Sequence, residues 1–536
     1  MTVTRQNPTP RVYAWVPRVD GLDAGRVRHD MLDLSRDVVS LHASRSEGAA
    51  MGSASLELLP RTGAVQTTAD LARVALLYQR LDLMTVVSIG IDEDGGIGLY
   101  LVRAVNKRKR HTGPMAGSGL TIQLADFGYT LGSDHVVFAS LSTQTTDKFR
   151  QQISATLGVD SPLIVQFPGL FGPKPDVFSP EGSAFPKDDS VNTFLAASVK
   201  DAVDYILDKA PSMRVPLLSH ADGTGGKPGD YIDTTSSITS WNDARVWSDN
   251  PTSFHGTVWD FLWTVLDRDF YEIRLDYRPS STSPIPTMEL IVRPKPFDEP
   301  ALEFLPVNED TGITWDALRT FIDGVEHHEI HEHEVLEENL GVSGADAFAV
   351  YMVTSANDLI GNDKAAAEGI AYPVVDTFHA RKFGIQQYNA RLALLASDIV
   401  KKAEETLDYD DDVLGAMGEF RNRLVNWYRL APWFETGTIT VVGRDRYRVG
   451  DPVRLPHQPA PKGDELGMRY YTTSVSWSWS YGSAYVCQLT LSRGHNATMV
   501  DALRDMIDNA TASTPTDNGL VTCGEASSDV AEVDDA

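Results

Sequence analysis

At 536 residues, with 42% hydrophobic and 23% charged residues, the chain is too long for one compact core and has the composition of an ordinary soluble multidomain protein. No apolar run approaches the roughly 20 residues that span a bilayer, and a net charge of -27 argues against general binding to phosphate backbones. The only two cysteines, Cys487 and Cys523, exclude a disulfide framework and a thiolate zinc site and fit assembly in a reducing cytoplasm.

The opening MTVTRQNPTPRVYAWVPRVDG has no apolar h-region, so no secretory signal is expected. The first 140 residues read as mainly β. VVSLHAS (38–44) and SASLELLP (53–60) are predicted strands, followed by LMTVVSIGI (83–91) and IGLYLVRAV (97–105). Asp94-Gly95 between the last two is a hairpin signal. GLTIQLADF (119–127) places Leu120, Ile122 and Leu124 on one face. The basic run Lys107-Arg108-Lys109-Arg110 reads as a solvated loop beside a strand end, with contact to an acidic partner as the sharper alternative.

Residues 141–255 change character. A helix is predicted over 191–209, with Phe194, Leu195, Val199, Val203 and Ile206 along one face, among Pro/Gly/Ser-rich stretches. GTGGKPG is not a phosphate-binding loop, because Pro228 follows Lys227 and Ala221 occupies the first glycine position. From 255 a short amphipathic helix carries Trp259, Leu262, Trp263 and Leu266, with the tryptophans read as core. A hairpin follows, FYEIRLDYRP (270–279) with TMELIVRPKPF (287–297).

The segment VEHHEIHEHEVLEENLGVSG (325–344) packs His327, His328, His331 and His333 among glutamates. It misses the zincin pattern in every register: His327 and His331 are four apart, but His328 stands where the glutamate belongs. Flanking Gly324, Gly341 and Gly344 disfavour a helix. Read as a strand, Val325, His327, Glu329, His331, His333 and Val335 share one face. Alternate histidines on a strand can hold a metal, which makes His327, His331 and His333 the candidate ligands; the plainer reading is a polar strand or an intersubunit seam. Such a seam would make assembly pH-sensitive, and a trimer mass constant between about pH 5 and 8 would exclude it.

Two helices are predicted next, 386–407 and 412–430. Between them Asp408, Asp410, Asp412 and Glu419 match calcium-loop positions, but Val413 replaces the required glycine, and an acidic helix N-cap accounts for the same residues. GTITVVG (437–443) and RYYTTSVSWSWSYGSAYVCQLTLSRG (469–494) return to strands: Val475, Trp477 and Trp479 alternate with serines, Gly482 turns, and Tyr485, Cys487, Leu489 and Leu491 run back. The Ser/Thr/Asp-rich 511–536 reads as a flexible tail. No nucleophile elbow, C-x-x-C or nucleotide fingerprint occurs, so no catalytic residues and no cofactor are expected.

Several segments, in order, resemble the baseplate hub proteins of contractile phage tails and related injection systems, the late-control-protein-D-like group. The most specific are GTITVVG, then Tyr447-x-Val449-Gly450-Asp451-x-Val453, then YYTTSVSWSWS and Leu489-x-Leu491-x-Arg493-Gly494. WDFLWTVLDRDFYEIRLDYRP with LIVRPKPFD, ENLGVSGADAFAVYMVTSA, RKFG (381–384) and VVSLHASRSEGAAMGSASLELLP also fit.

The resemblance implies an α+β, β-dominated multidomain chain with two tail-tube-like β-barrels, an inserted mixed domain and a pair of helices. The expected divisions are a first barrel at 1–140, a loop-rich insert at 141–255, a helix and hairpin at 256–325, a second β segment at 326–385, the helical pair at 386–432, closing barrel strands at 433–510 and the tail at 511–536. It also implies a homotrimer assembled in the host cytoplasm into the virion baseplate, a ring adapting the hexameric tail tube or its initiator to the trimeric central spike and contacting wedge proteins. DNA would pass through without sequence-specific contact, and an acidic lumen would let it slide. The alternatives are a metal-dependent hydrolase or cell-wall enzyme using His327, His331 and His333, or a receptor-binding tail protein.

Overall fold

Period-two alternation builds the dominant element of the fold. The computed structural model describes residues 8–23, 26–49, 51–63, 65–92, 96–110, 116–133, 135–137, 246–247, 255–257, 259–260, 263, 269, 271–278, 287–295, 327–355, 370–394, 421–422, 424–461, 466–511 and 520–522. The N-terminal strands are β1 (Arg11–Asp23), β2 (Arg26–Asp33), β3 (Val38–Ser46), β4 (Ser53–Leu58), β5 (Val86–Gly90), β6 (Gly98–Arg110) and β7 (Gly117–Asp126). Their inward residues, among them Leu41, Ala43, Leu56, Leu58, Leu120, Ile122 and Leu124, are buried as their spacing predicts. The basic run is the paired end of β6 rather than a loop. Between β4 and β5 lies α1 (Thr68–Arg80), unanticipated from the sequence although Thr67 and Asp70 form a capping box at its start.

Short pieces follow: α2 (Gly128–Ser133), β8 (His135–Val137), β9 (Val246–Trp247) and β10 (His255–Thr257), then the expected hairpin of β11 (Tyr271–Arg278) and β12 (Thr287–Pro294). Trp259 and Trp263 are buried edge to face, 6.0 Å between ring centroids, as core residues. The C-terminal part contributes β13 (His328–Glu329), β14 (Val335–Val342), β15 (Val350–Ser355), β16 (Ile370–Asp376), α3 (Thr377–Phe383), β17 (Gln387–Leu394), β18 (Glu435–Val442), β19 (Pro452–Pro459), β20 (Leu466–Ser480), β21 (Val486–His495), α4 (Ala497–Thr511) and β22 (Leu520–Thr522).

The fold is α+β and β-dominated. A curled 13-stranded sheet runs β14-β18-β21-β20-β3-β4-β7-β6-β5-β1-β2, with β19 paired to β20 and β13 to β19. The fifteen-residue β20 joins its two halves. Its first part pairs with β19, and its second part, Ser474 to Ser480, pairs with Ser46 to Ser40 of β3. In the second half the strands come round a full circle: β13 pairs parallel with β19, and the same stretch of chain continues as β14, antiparallel to β18. One hydrophobic core runs through both halves, from Val12 and Leu41 to Trp477, Leu489 and Ile507. α4 covers its end, burying Met499, Val500, Leu503 and Ile507 at helical spacing.

A smaller sheet, β22-β16-β15-β17-β9, departs from the sequence reading twice. Residues 387–394 of the predicted helix 386–407 form β17, parallel to β15. QYNARLAL alternates as well at period two as at 3.6, and the open edge of β15 decides between them. Within the predicted flexible tail, Leu520 to Thr522 pair with β16. The predicted helix at 191–209, the GTGGKPG loop, the calcium-like loop at 408–419, the Asp94-Gly95 turn and Cys523 lie outside the described residues. Of the second predicted helix, 421–422 and 424–429 are helical.

Candidate functional site

The histidine segment is not one strand. His328 and Ile330 point inward, and a 3-10 turn at Glu332–Glu334 then ends the period-two alternation before β14 begins. The turn is capped by the Glu334 carboxylate, which accepts the His331 N–H at 3.3 Å and pairs with Arg444 Nη2 at 3.3 Å. His327, Glu329, His331, His333 and Val335 therefore do not share a face.

The structure separates the four histidines by role. His328 is buried, with Nε2 3.0 Å from the Asp451 carboxylate and its ring edge-on to Tyr447 at 5.5 Å. His331 and His333 are exposed and stack at 5.7 Å, and with Glu332, Pro456 and His457 they line a shallow surface depression. His327 is exposed at the start of β13, outside that depression. Among the described residues, no group of three or more His, Cys, Asp or Glu side chains is placed to hold a metal ion. His328→Ala should therefore cost about 1–3 kcal/mol in denaturant unfolding, and the His331→Ala/His333→Ala pair less than about 0.5. Equal losses from both would mean that burial does not distinguish them.

His328 also explains part of the sequence pattern 447–453. Tyr447 flanks it, Asp451 holds it, and Val453 lies opposite it in the β13–β19 pairing. Gly450 adopts φ +87° against the Glu272 carboxylate, where a Cβ would collide.

A second polar construction is the seam between the two halves. Where the chain turns back after β18, the Asp445 carboxylate accepts N–H bonds from Ile91 (2.6 Å) and Asp92 (3.1 Å), just beyond β5. The Asp92 carboxylate reciprocates by accepting the Asp445 N–H at 2.7 Å. Tyr485 Oη donates to the other Asp445 oxygen at 2.6 Å, and Arg448 Nη2 donates to the Gly96 carbonyl at 3.0 Å. Burial first, and the facing Asp92 second, push the Asp445 carboxyl up to about 6. Beneath lies the buried Arg45–Asp126 ion pair, 3.1 Å. Burial raises the Asp126 carboxyl and Arg45 opposes the rise. Gly52 and Gly98 leave the room that Arg45 occupies: a Cβ at Gly98 would stand 2.6 Å from its Nη2.

The hairpin β11–β12 and Trp259 close over this seam. Tyr471 Oη donates to Glu272 at 2.6 Å, Lys295 Nζ pairs with Glu47 at 2.8 Å, and Trp259 Nε1 donates to the Gly48 carbonyl at 3.2 Å. The small sheet is tied in by Asp269, whose two oxygens accept from Tyr388 and Tyr428, each at 2.6 Å. Cys487 is buried within the sheet, and burial raises its thiol, which leaves it poorly suited to act as a nucleophile. These groups are consumed in holding elements together. No single motif marks the seam in the sequence, since Asp92 and Asp445 are 353 positions apart.

No protein-family model matches the chain, and no curated protein matches it. The solved structures it is similar to include three tail proteins. A tail protein from Neisseria meningitidis MC58 superposes with a TM-score of 0.42 at 10% identity, covering 93% of this chain and 99% of that one. A 43 kDa tail protein of prophage MuSo2 from Shewanella oneidensis gives 0.32 at 10% identity over 90% and 97%. A prophage tail protein from Listeria monocytogenes EGD-e gives 0.34 at 10% identity over 92% and 98%.

Proposed function

We propose that the chain is a structural hub of a contractile tail baseplate, acting by geometry and not by catalysis. Three copies would form a ring that adapts the hexameric tail tube to a trimeric central spike, contacts the wedge proteins and leaves a channel for DNA. The observation that carries this reading is the seam. Each chain holds two curled β halves side by side, locked by a shared strand pairing, a shared core and the Asp92–Asp445 bracket. Three such chains present six halves at fixed spacing, which is what matching threefold to sixfold symmetry requires. The polar side chains of the seam are engaged in structural bonds, a state that suits load transfer rather than turnover. The net charge of -27 suits a passage that DNA crosses without adhering.

In this role the chain would sit in the virion baseplate after assembly in the host cytoplasm. Electron micrographs of the purified chain, alone and with tube and spike proteins, test the reading. Rings with an open centre are expected; globular monomers under every condition would overturn it.

A further inference from the structure

The outer face of α1 is an exposed apolar patch. The helix buries Val74 and Leu77 against the sheet, and Arg73 and Arg80 run to Asp37 and Asp30. That leaves Leu71, Ala75 and Tyr78 along an exposed stripe, with Ala72 and Leu76 beside it. Leu83 and Met84 extend the patch past the helix end, Met84 in a left-handed backbone conformation at φ +63°. Five large side chains here, Leu71, Leu76, Tyr78, Leu83 and Met84, are 41% to 62% exposed. A surface helix of a lone protein ordinarily turns charge outward, and a contiguous apolar face of this kind marks an interface.

The rim of the patch is basic. Lys107 Nζ stands 4.1 Å from the centre of the Tyr78 ring, Arg103 Nη1 lies 3.7 Å from the Met84 sulfur, and exposed Lys109 continues the row along β6. The complementary surface is on the other half of the sheet. No residue of β14 is fully buried; Leu336 and Val342, near its two ends, are exposed apolar side chains, Glu337 and Glu338 are exposed between them along the strand, and Glu332 is exposed in the turn before it. A strand left this exposed gains from being covered. One chain thus carries an apolar patch with a basic rim on one half and, on the other, an exposed strand that bears two apolar and several acidic side chains.

We infer that the α1 face of one copy docks on the β14 face of a second copy, head to tail, the apolar side chains at the centre and the opposite charges around them. Such a contact is heterologous and closes into a ring when its rotation permits. The inference rests on the ring reading above and identifies the surfaces that mate.

Sedimentation of the full chain at several concentrations tests it, with variants whose melting temperatures match the unsubstituted chain. Leu71→Glu/Leu76→Glu should weaken self-association by about tenfold or more. Lys107→Glu/Lys109→Glu and Glu332→Lys/Glu337→Lys should each weaken it by a similar factor, and combining the two charge reversals should recover most of the loss. Added salt should weaken the unsubstituted contact. Rings in micrographs that persist through all of these variants would overturn the docking and leave the ring reading standing. A chain that neither sediments as an oligomer nor forms rings with tube and spike present would overturn both. Binding of the α1 face to the tube or spike protein, lost in Leu71→Glu/Leu76→Glu while self-association is kept, would also overturn self-docking.

Discussion

Asp445→Ala should destabilise the folded chain by about 2–4 kcal/mol, whereas Asp445→Asn should be nearly neutral at pH 7. Alanine removes the acceptor for the Ile91 and Asp92 N–H groups and for the Tyr485 hydroxyl at a fully buried position. Asparagine keeps a carbonyl oxygen for the two amides and turns an NH2 toward Tyr485 Oη, which can accept. It also removes the repulsion with Asp92. The pH dependence separates the two effects. The Asp445 carboxyl holds its proton to about 6 when folded, against an ordinary value of 3.8. Between those values the folded state binds more protons than the unfolded, so stability falls as pH rises. The stabilisation is complete below about pH 4, lost by about pH 6 and level above that; by linkage it amounts to at most roughly 3 kcal/mol. Urea unfolding from pH 4 to 7 should show this slope in the unsubstituted chain and lack it in Asp445→Asn. A slope unchanged by the substitution would place the titrating group elsewhere.

Trp477→Ala should cost about 3–5 kcal/mol and loosen both halves together. The indole is fully buried, donates to the Arg444 carbonyl at 3.2 Å, and sits on β20 opposite Ala43 of β3 and Cys487 of β21. It therefore fills the core from the strand that both halves use. Amide hydrogen exchange is the deciding measurement. Protection should drop in β4 and β7 as well as in β18 and β21, because one core serves all four. A drop confined to β18 and β21 would mean that the halves unfold independently and that the seam is not a rigid joint.

The two substitutions draw on different levels of information. Trp477 was legible in the sequence: VSWSWS alternates at the period of a strand, and the structure buries Val475, Trp477 and Trp479 while Gly482 makes the predicted turn at φ +82°. Leu120, Ile122, Leu124 and the β11–β12 hairpin were equally plain. Local pattern suffices there, because a half-buried strand must alternate to bury one face. Where two periods fit the same residues, as in QYNARLAL, the sequence could not choose, and the available edge of β15 made the choice.

The histidine segment shows the boundary most sharply. Its composition invited a metal centre and its spacing argued against a zincin, but only the fold sends His328 to Asp451 and leaves His331 and His333 on the surface. The seam lay further out of reach still. Asp92 and Asp445 are unremarkable in sequence, and become a reciprocal bracket only when β5 and the turn after β18 meet. By itself the sequence determined the strands whose period-two pattern admits one reading, such as β3, β4, β7, β20 and β21, and their inward faces, since these follow from each residue and its near neighbours. The tertiary structure alone decided which polar groups are buried together, because that depends on contacts between residues hundreds of positions apart.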